Sequence, residues 1–98
     1  MPSYCASDVH QTKPLILVVD AQEVIGELLQ KQLSKGFTVR VAHSGKDAIE
    51  FCDKHAPNLI LMDMYMPEMD GIEVSRKING QRLAIPIPVV FLTEAECI

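Results

Sequence analysis

At 98 residues the chain is expected to form one small domain with no separate effector module, and 48% hydrophobic against 22% charged residues describes a globular core rather than disorder. A net charge of −4, with no Lys/Arg stripe, argues against electrostatic binding to nucleic acid or anionic lipid. No apolar run approaches the roughly 18 residues of a membrane span. The N-terminus also lacks the basic-then-apolar order of a signal peptide. The three cysteines, Cys5, Cys52 and Cys97, are odd in number, far apart and without a metal-ligand spacing, so free thiols in a reducing, cytoplasmic setting are expected.

Residues 1–13 are polar, hold Pro2, Ser3, Ser7 and Asp8 and show no sustained period, which predicts a flexible arm ahead of a domain over 14–98. Leu15 to Val19 is a continuous apolar run ending on Asp20, the pattern of a parallel strand buried on both faces. Val24, Ile25, Leu28, Leu29 and Leu33 follow at helical spacing, with Gly36 as the expected C-terminal breaker.

The strand-then-helix unit repeats. Phe37, Val39 and Val41 alternate with polar residues as in an edge strand. Ser44 then caps a helix carrying Ala48, Ile49 and Cys52, with Asp47 three residues on in a relative of the capping box. Pro57 closes that segment, and Leu59 to Met62 predicts a third strand finishing at Asp63. Asp70 and Glu73 offer a cap for a helix through Ile72 and Ile78, ending at Gly80. Beyond Pro86 and Pro88, Val89 to Leu92 predicts a fourth strand.

Regular alternation of strand and helix makes the class α/β, with a parallel sheet and right-handed crossovers. Ligands of such sheets bind outside the carboxyl ends of the strands, which selects Asp20, Asp63 and Thr93 as the polar groups expected on one edge. Two carboxylates at adjacent strand ends suit Mg²⁺, which takes a few carboxylates, a carbonyl and waters. A carboxylate there can attack phosphorus to give an aspartyl phosphate, with the Thr93 hydroxyl near the phosphoryl group. Asp also terminates strands and caps loops in proteins without such chemistry, and periodicity alone weighs the two readings equally.

Three segments add to this reading. Leu15-Ile16-Leu17-Val18-Val19-Asp20, Leu61-Met62-Asp63-Met64-Tyr65-Met66-Pro67-Glu68-Met69-Asp70-Gly71 and Val90-Phe91-Leu92-Thr93-Glu94-Ala95 stand in the order of the motifs of the response regulator receiver domain, which the chain resembles from Pro14 to about Ala95. The resemblance implies a flavodoxin-like, doubly wound sheet of about four strands in the order 2-1-3-4. It makes Asp63 the phospho-acceptor, Asp20 an acidic-pocket residue, the Tyr65 backbone carbonyl a metal ligand and Thr93 the switch hydroxyl. The partner it implies is a sensor histidine kinase or phosphotransfer protein, and no enzymatic turnover is expected. Clustered Met62, Met64, Met66 and Met69 are read as gap-filling rather than as a soft-metal site. His43 and His55 do not read as phosphotransfer histidines.

Two departures from the family pattern stand in the sequence. Receivers carry two acidic residues in succession after the first strand, the second contacting the metal, whereas Asp20 is followed here by Ala21, whose methyl group cannot ligate Mg²⁺. Weak Mg²⁺ binding is expected, with Glu23 the nearest replacement. A receiver also continues past its switch Thr through a helix, a Lys-bearing strand and a last helix, so an incomplete domain that does not signal by itself is expected, with Val89 to Leu92 as a sheet edge open to homodimer formation. A phosphorylation-independent interaction module and a flavodoxin-like small-ligand protein are the other readings, the latter opposed by the absence of a glycine-rich loop after the first strand.

Overall fold

The structure, a computed structural model, describes residues 13–64, 66, 70–80 and 85–92. Apart from Lys13, the expected N-terminal arm lies outside these residues. The described elements are β1 (Leu15–Val19), α1 (Glu23–Leu33), β2 (Thr38–Ala42), α2 (Gly45–Lys54), β3 (Leu59–Asp63), α3 (Gly71–Gly80) and β4 (Val89–Leu92). The four strands form one parallel sheet in the order β2-β1-β3-β4, the order expected.

Side chains alternate across a strand, so β1 divides its apolar run between the two sheet faces. Ile16 and Val18 face one side, where they cluster with Val39 beneath Leu29 and Leu33 of α1. Leu17 and Val19 face the other and join Ala42, Ile60 and Met62 under Ala48 and Cys52 of α2 and Val74 and Ile78 of α3. Among the described elements, one helix therefore covers one face and two cover the opposite face. Leu17, Ile60 and Met62 are fully buried, a contribution of about 1.5–3 kcal/mol each.

The helix starts follow the expected chemistry. The Ser44 hydroxyl accepts the Asp47 N–H at 3.1 Å, and the Asp70 carboxylate accepts the Glu73 N–H at 2.8 Å, each satisfying a donor that the first turn leaves unpaired. The end of α1 differs from expectation. The helix stops at Leu33, with Ser34 still in right-handed conformation, and the turn closes when the Gly36 and Phe37 N–H groups both donate to the Leu33 carbonyl. No described glycine has positive φ, so Gly36 is part of a tight turn rather than a left-handed cap.

Two asparagines fasten the strand starts. Asn58 exchanges bonds with Leu15, its N–H reaching the Leu15 carbonyl at 2.8 Å and its side-chain oxygen accepting the Leu15 N–H at 2.8 Å. Asn79, near the end of α3, uses both halves of its amide on the backbone of Ile87 just ahead of β4. Met62 is a core residue and Met66 packs against the same cluster, in keeping with the gap-filling reading.

Candidate functional site

The register of the sheet brings the two acidic strand ends together. Val19 of β1 pairs with Met62 of β3, so Asp20 and Asp63 each come one residue later, at the carboxyl ends of neighbouring strands. Asp63 in turn pairs with Leu92, the residue before Thr93. Thr93 and Tyr65, the remaining two candidates, lie outside the described residues.

Asp20 is only 7% exposed, the one buried charged residue among those described. Its N–H donates to the Ala42 carbonyl at 3.0 Å, its own carbonyl accepts from His43 Nδ1 at 3.1 Å, and carboxylate oxygen Oδ1 accepts the Gln22 N–H at 2.9 Å. Burial of a carboxylate is costly unless its oxygens are engaged, and Oδ2 has no bonding partner among the described residues.

Asp63 is half-buried. The chain behind it is held by Gly71, whose N–H donates to the Met64 carbonyl at 2.9 Å. A Cβ at Gly71 would lie 2.6 Å from the Asp63 carbonyl oxygen, 2.9 Å from Met62 Cγ and 3.1 Å from Met64 Cα. The backbone at the start of α3 therefore presses directly on the end of β3, and Asp70 and Gly71 have separate tasks: one caps the helix, the other permits the contact. Sequence reasoning treated Gly71 only as part of a motif and a turn. A close approach across eight residues carries no local signal.

The donor set has the hard-oxygen chemistry of a Mg²⁺ site. It is sparse, because Ala21 is half-buried with nothing but a methyl group to offer and Glu23 is exposed in the first turn of α1. Among the described residues, no group of three or more His, Cys, Asp or Glu is arranged to hold a metal ion. The two adjacent carboxylates fit the ion as a minimal pair rather than as a full cage. The β1–α1 turn, Asp20 to Glu23, has no glycine-rich phosphate loop.

Comparison with known proteins places the chain in a family. The profile of the response regulator receiver domain family matches residues 16–97. The chain is 38% identical over 82 residues to the alkaline phosphatase synthesis transcriptional regulatory protein PhoP of Bacillus subtilis, covering 83% of this chain and 34% of that protein. It is 37% identical over 76 residues to the response regulator MprA of Mycobacterium tuberculosis, covering 76% and 33%. The chain thus spans about a third of the length of these curated relatives.

Among solved structures, the chemotaxis protein CheY4 of Vibrio cholerae superposes with a TM-score of 0.77 at 24% identity, covering 88% of this chain and 75% of that one, a likeness of fold. The N-terminal domain of a response regulator receiver protein from Methanoculleus marisnigri gives 0.75 at 34% identity, covering 81% and 65%. The response regulator TrrA of Thermotoga maritima, solved in complex with Mg²⁺ and BeF, gives 0.66 at 31% identity, covering 70% and 61%.

Proposed function

The chain belongs to the response regulator receiver domain family of two-component systems, and on that premise we propose that Asp63 is its phospho-acceptor, in a site weakened by Ala21. The observation that carries the proposal is the β1–β3 register, which sets the buried Asp20 next to Asp63 at the carboxyl edge of the sheet. The family is not an enzyme in itself, and it implies a histidine kinase as donor. No helix among the described residues is long and apolar enough to cross a membrane, and a cytoplasmic setting is part of the same proposal.

In this reading a carboxylate oxygen of Asp63 attacks the phosphorus of the donor. The bond between phosphorus and the donor's nitrogen or oxygen breaks, and the leaving group departs with the electron pair. Bound Mg²⁺ would be held by Asp20, Asp63 and the Tyr65 carbonyl, and its contribution is to neutralise charge on the phosphoryl oxygens. Asp20 supplies negative charge from a fixed position, because its loop bonds leave the carboxylate little freedom. Thr93 would hydrogen-bond the phosphoryl group once it is in place.

Ala21 is the reason for proposing a slow acceptor. It removes a direct ligand and a negative charge from a site with few of either, so the concentration of Mg²⁺ needed for half-occupancy rises. Intact-mass measurement with a small phosphodonor, with and without Mg²⁺, tests this. Slow, incomplete, Mg²⁺-dependent labelling that vanishes in Asp63→Asn is expected, and labelling that survives Asp63→Asn would reject the acceptor assignment.

A further inference from the structure

Asp20 stands where the β1–β2 ladder should continue but cannot. In a parallel pair the bonds alternate regularly, and from Thr38 N–H to the Pro14 carbonyl through Asp20 N–H to the Ala42 carbonyl the two strands follow that pattern. The next two rungs would be Ser44 N–H to the Asp20 carbonyl and Gln22 N–H to the Ser44 carbonyl. Neither forms. Ser44 has become the N-cap of α2, and its carbonyl accepts the Ala48 N–H at 3.1 Å inside the helix.

Both missing rungs are replaced by side chains. The Gln22 N–H turns to Asp20 Oδ1, and the Asp20 carbonyl takes its bond from His43 Nδ1. A carbonyl can only accept, so Nδ1 carries the hydrogen of this bond. The ring also rests against α1, its Cε1 being 3.7 Å from where a Cβ on Gly26 would lie.

We propose that His43 is a positioning residue of the acidic pocket: its imidazole N–H substitutes for the backbone donor lost where the chain turns into α2, and so fixes the Asp20 backbone from which the carboxylate is aimed. The role rests on the reading of Asp20 and Asp63 as a metal-binding pair. His43 as a residue is exposed, so water can reach the Asp20 carbonyl once the ring is removed. Loss of the imidazole therefore costs the fold little but releases the loop, and it is the aim of the carboxylate that suffers.

The test compares His43→Leu, which removes the donor, with His43→Asn, whose Nδ2 is separated from Cα by the same number of bonds as imidazole Nδ1. Amide hydrogen exchange is read first. In His43→Leu, exchange at Asp20 and Gln22 should accelerate while Ile60 in the core and the thermal midpoint stay in place, and His43→Asn should restore the protection. Mg²⁺ titration is then read in the Ala21→Asp background, where binding is stronger, and His43→Leu should weaken it by about tenfold, as loss of a supporting contact to a ligand does.

Unchanged exchange at Asp20, or exchange accelerated equally in the core, overturns the proposal. So does Mg²⁺ binding that ignores His43→Leu, and in that case the metal-site reading stands. Failure of both the wild type and Ala21→Asp to bind Mg²⁺ sinks that reading instead, and the role of His43 with it.

Discussion

Gly71 lies so close to the end of β3 that a Cβ on it would sit 2.6 Å from the Asp63 carbonyl oxygen. The obstructing atom belongs to the backbone, so no rotamer change relieves it. Gly71→Ala gains up to about 1 kcal/mol of helix propensity but must push α3 away from Asp63, and overpacking of this kind costs about 1–3 kcal/mol. A net loss of stability is expected in urea unfolding. An alanine variant as stable as the wild type would mean that the join between β3 and α3 yields easily.

Phosphorylation should be limited by the metal site. With acetyl phosphate and Mg²⁺ the wild-type protein is expected to gain one phosphoryl group slowly. Ala21→Asp should tighten Mg²⁺ binding by about tenfold, equivalent to about 1.4 kcal/mol. If labelling by intact mass also quickens, the missing carboxylate is the principal defect. Rapid and near-complete labelling of the wild type would show that Ala21 is no impediment.

The Asn79 amide joins α3 to the entry of β4 by a bond from Nδ2 to the Ile87 carbonyl at 3.1 Å and one from the Ile87 N–H to Oδ1 at 2.8 Å. Ile87 is buried, so its polar backbone groups cannot easily turn to water. Asn79→Ala is expected to cost about 1–3 kcal/mol, the penalty for leaving such groups unsatisfied. Asn79→Asp keeps the acceptor but loses the donor and should fall between the two. Equal losses for Ala and Asp would assign the whole effect to the Nδ2 bond.

β4 is the outer strand of the described sheet, and Val90 on it is 49% exposed. Among the described residues no strand pairs with the outer edge of β4, and an apolar outer strand can template a second copy. The 98-residue polypeptide is therefore expected to self-associate, and Val90→Lys should suppress the association. Light scattering after size exclusion gives the answer. A monomer at every concentration would set the proposal aside.

Much of this geometry was legible because it is local. The apolar run of β1, the alternation into β2 and the caps at Ser44 and Asp70 are fixed by neighbours within a turn or a strand, and the structure reproduces them. The placing of Asp20 and Asp63 at the carboxyl ends of β1 and β3, one residue beyond the paired Val19 and Met62, followed from the topology of parallel sheets once the strands had been identified. What escaped notice joins residues across the chain: Asn58 with Leu15, His43 with Asp20, Gly71 with Asp63. His43 is the clearest case. Nothing in its own surroundings distinguishes it from a solvated histidine, because its partner is fixed only when β2 docks on β1. The width of the α1 stripe was also overestimated: Leu29 and Leu33 pack on the sheet, while Val24 is 73% exposed and Leu28 49%.

The sheet divides the interior into two apolar clusters with no residue in common. Paired substitutions on opposite faces, such as Val39 with Ala48, should therefore have nearly additive effects on stability, since they touch no shared neighbour. β1 belongs to both sides, with Ile16 and Val18 on one and Leu17 and Val19 on the other, and Asp20 hangs from its end. A change of packing in either compartment reaches the carboxylate through a displacement of that strand, which makes the acidic edge the point where the two otherwise separate compartments meet.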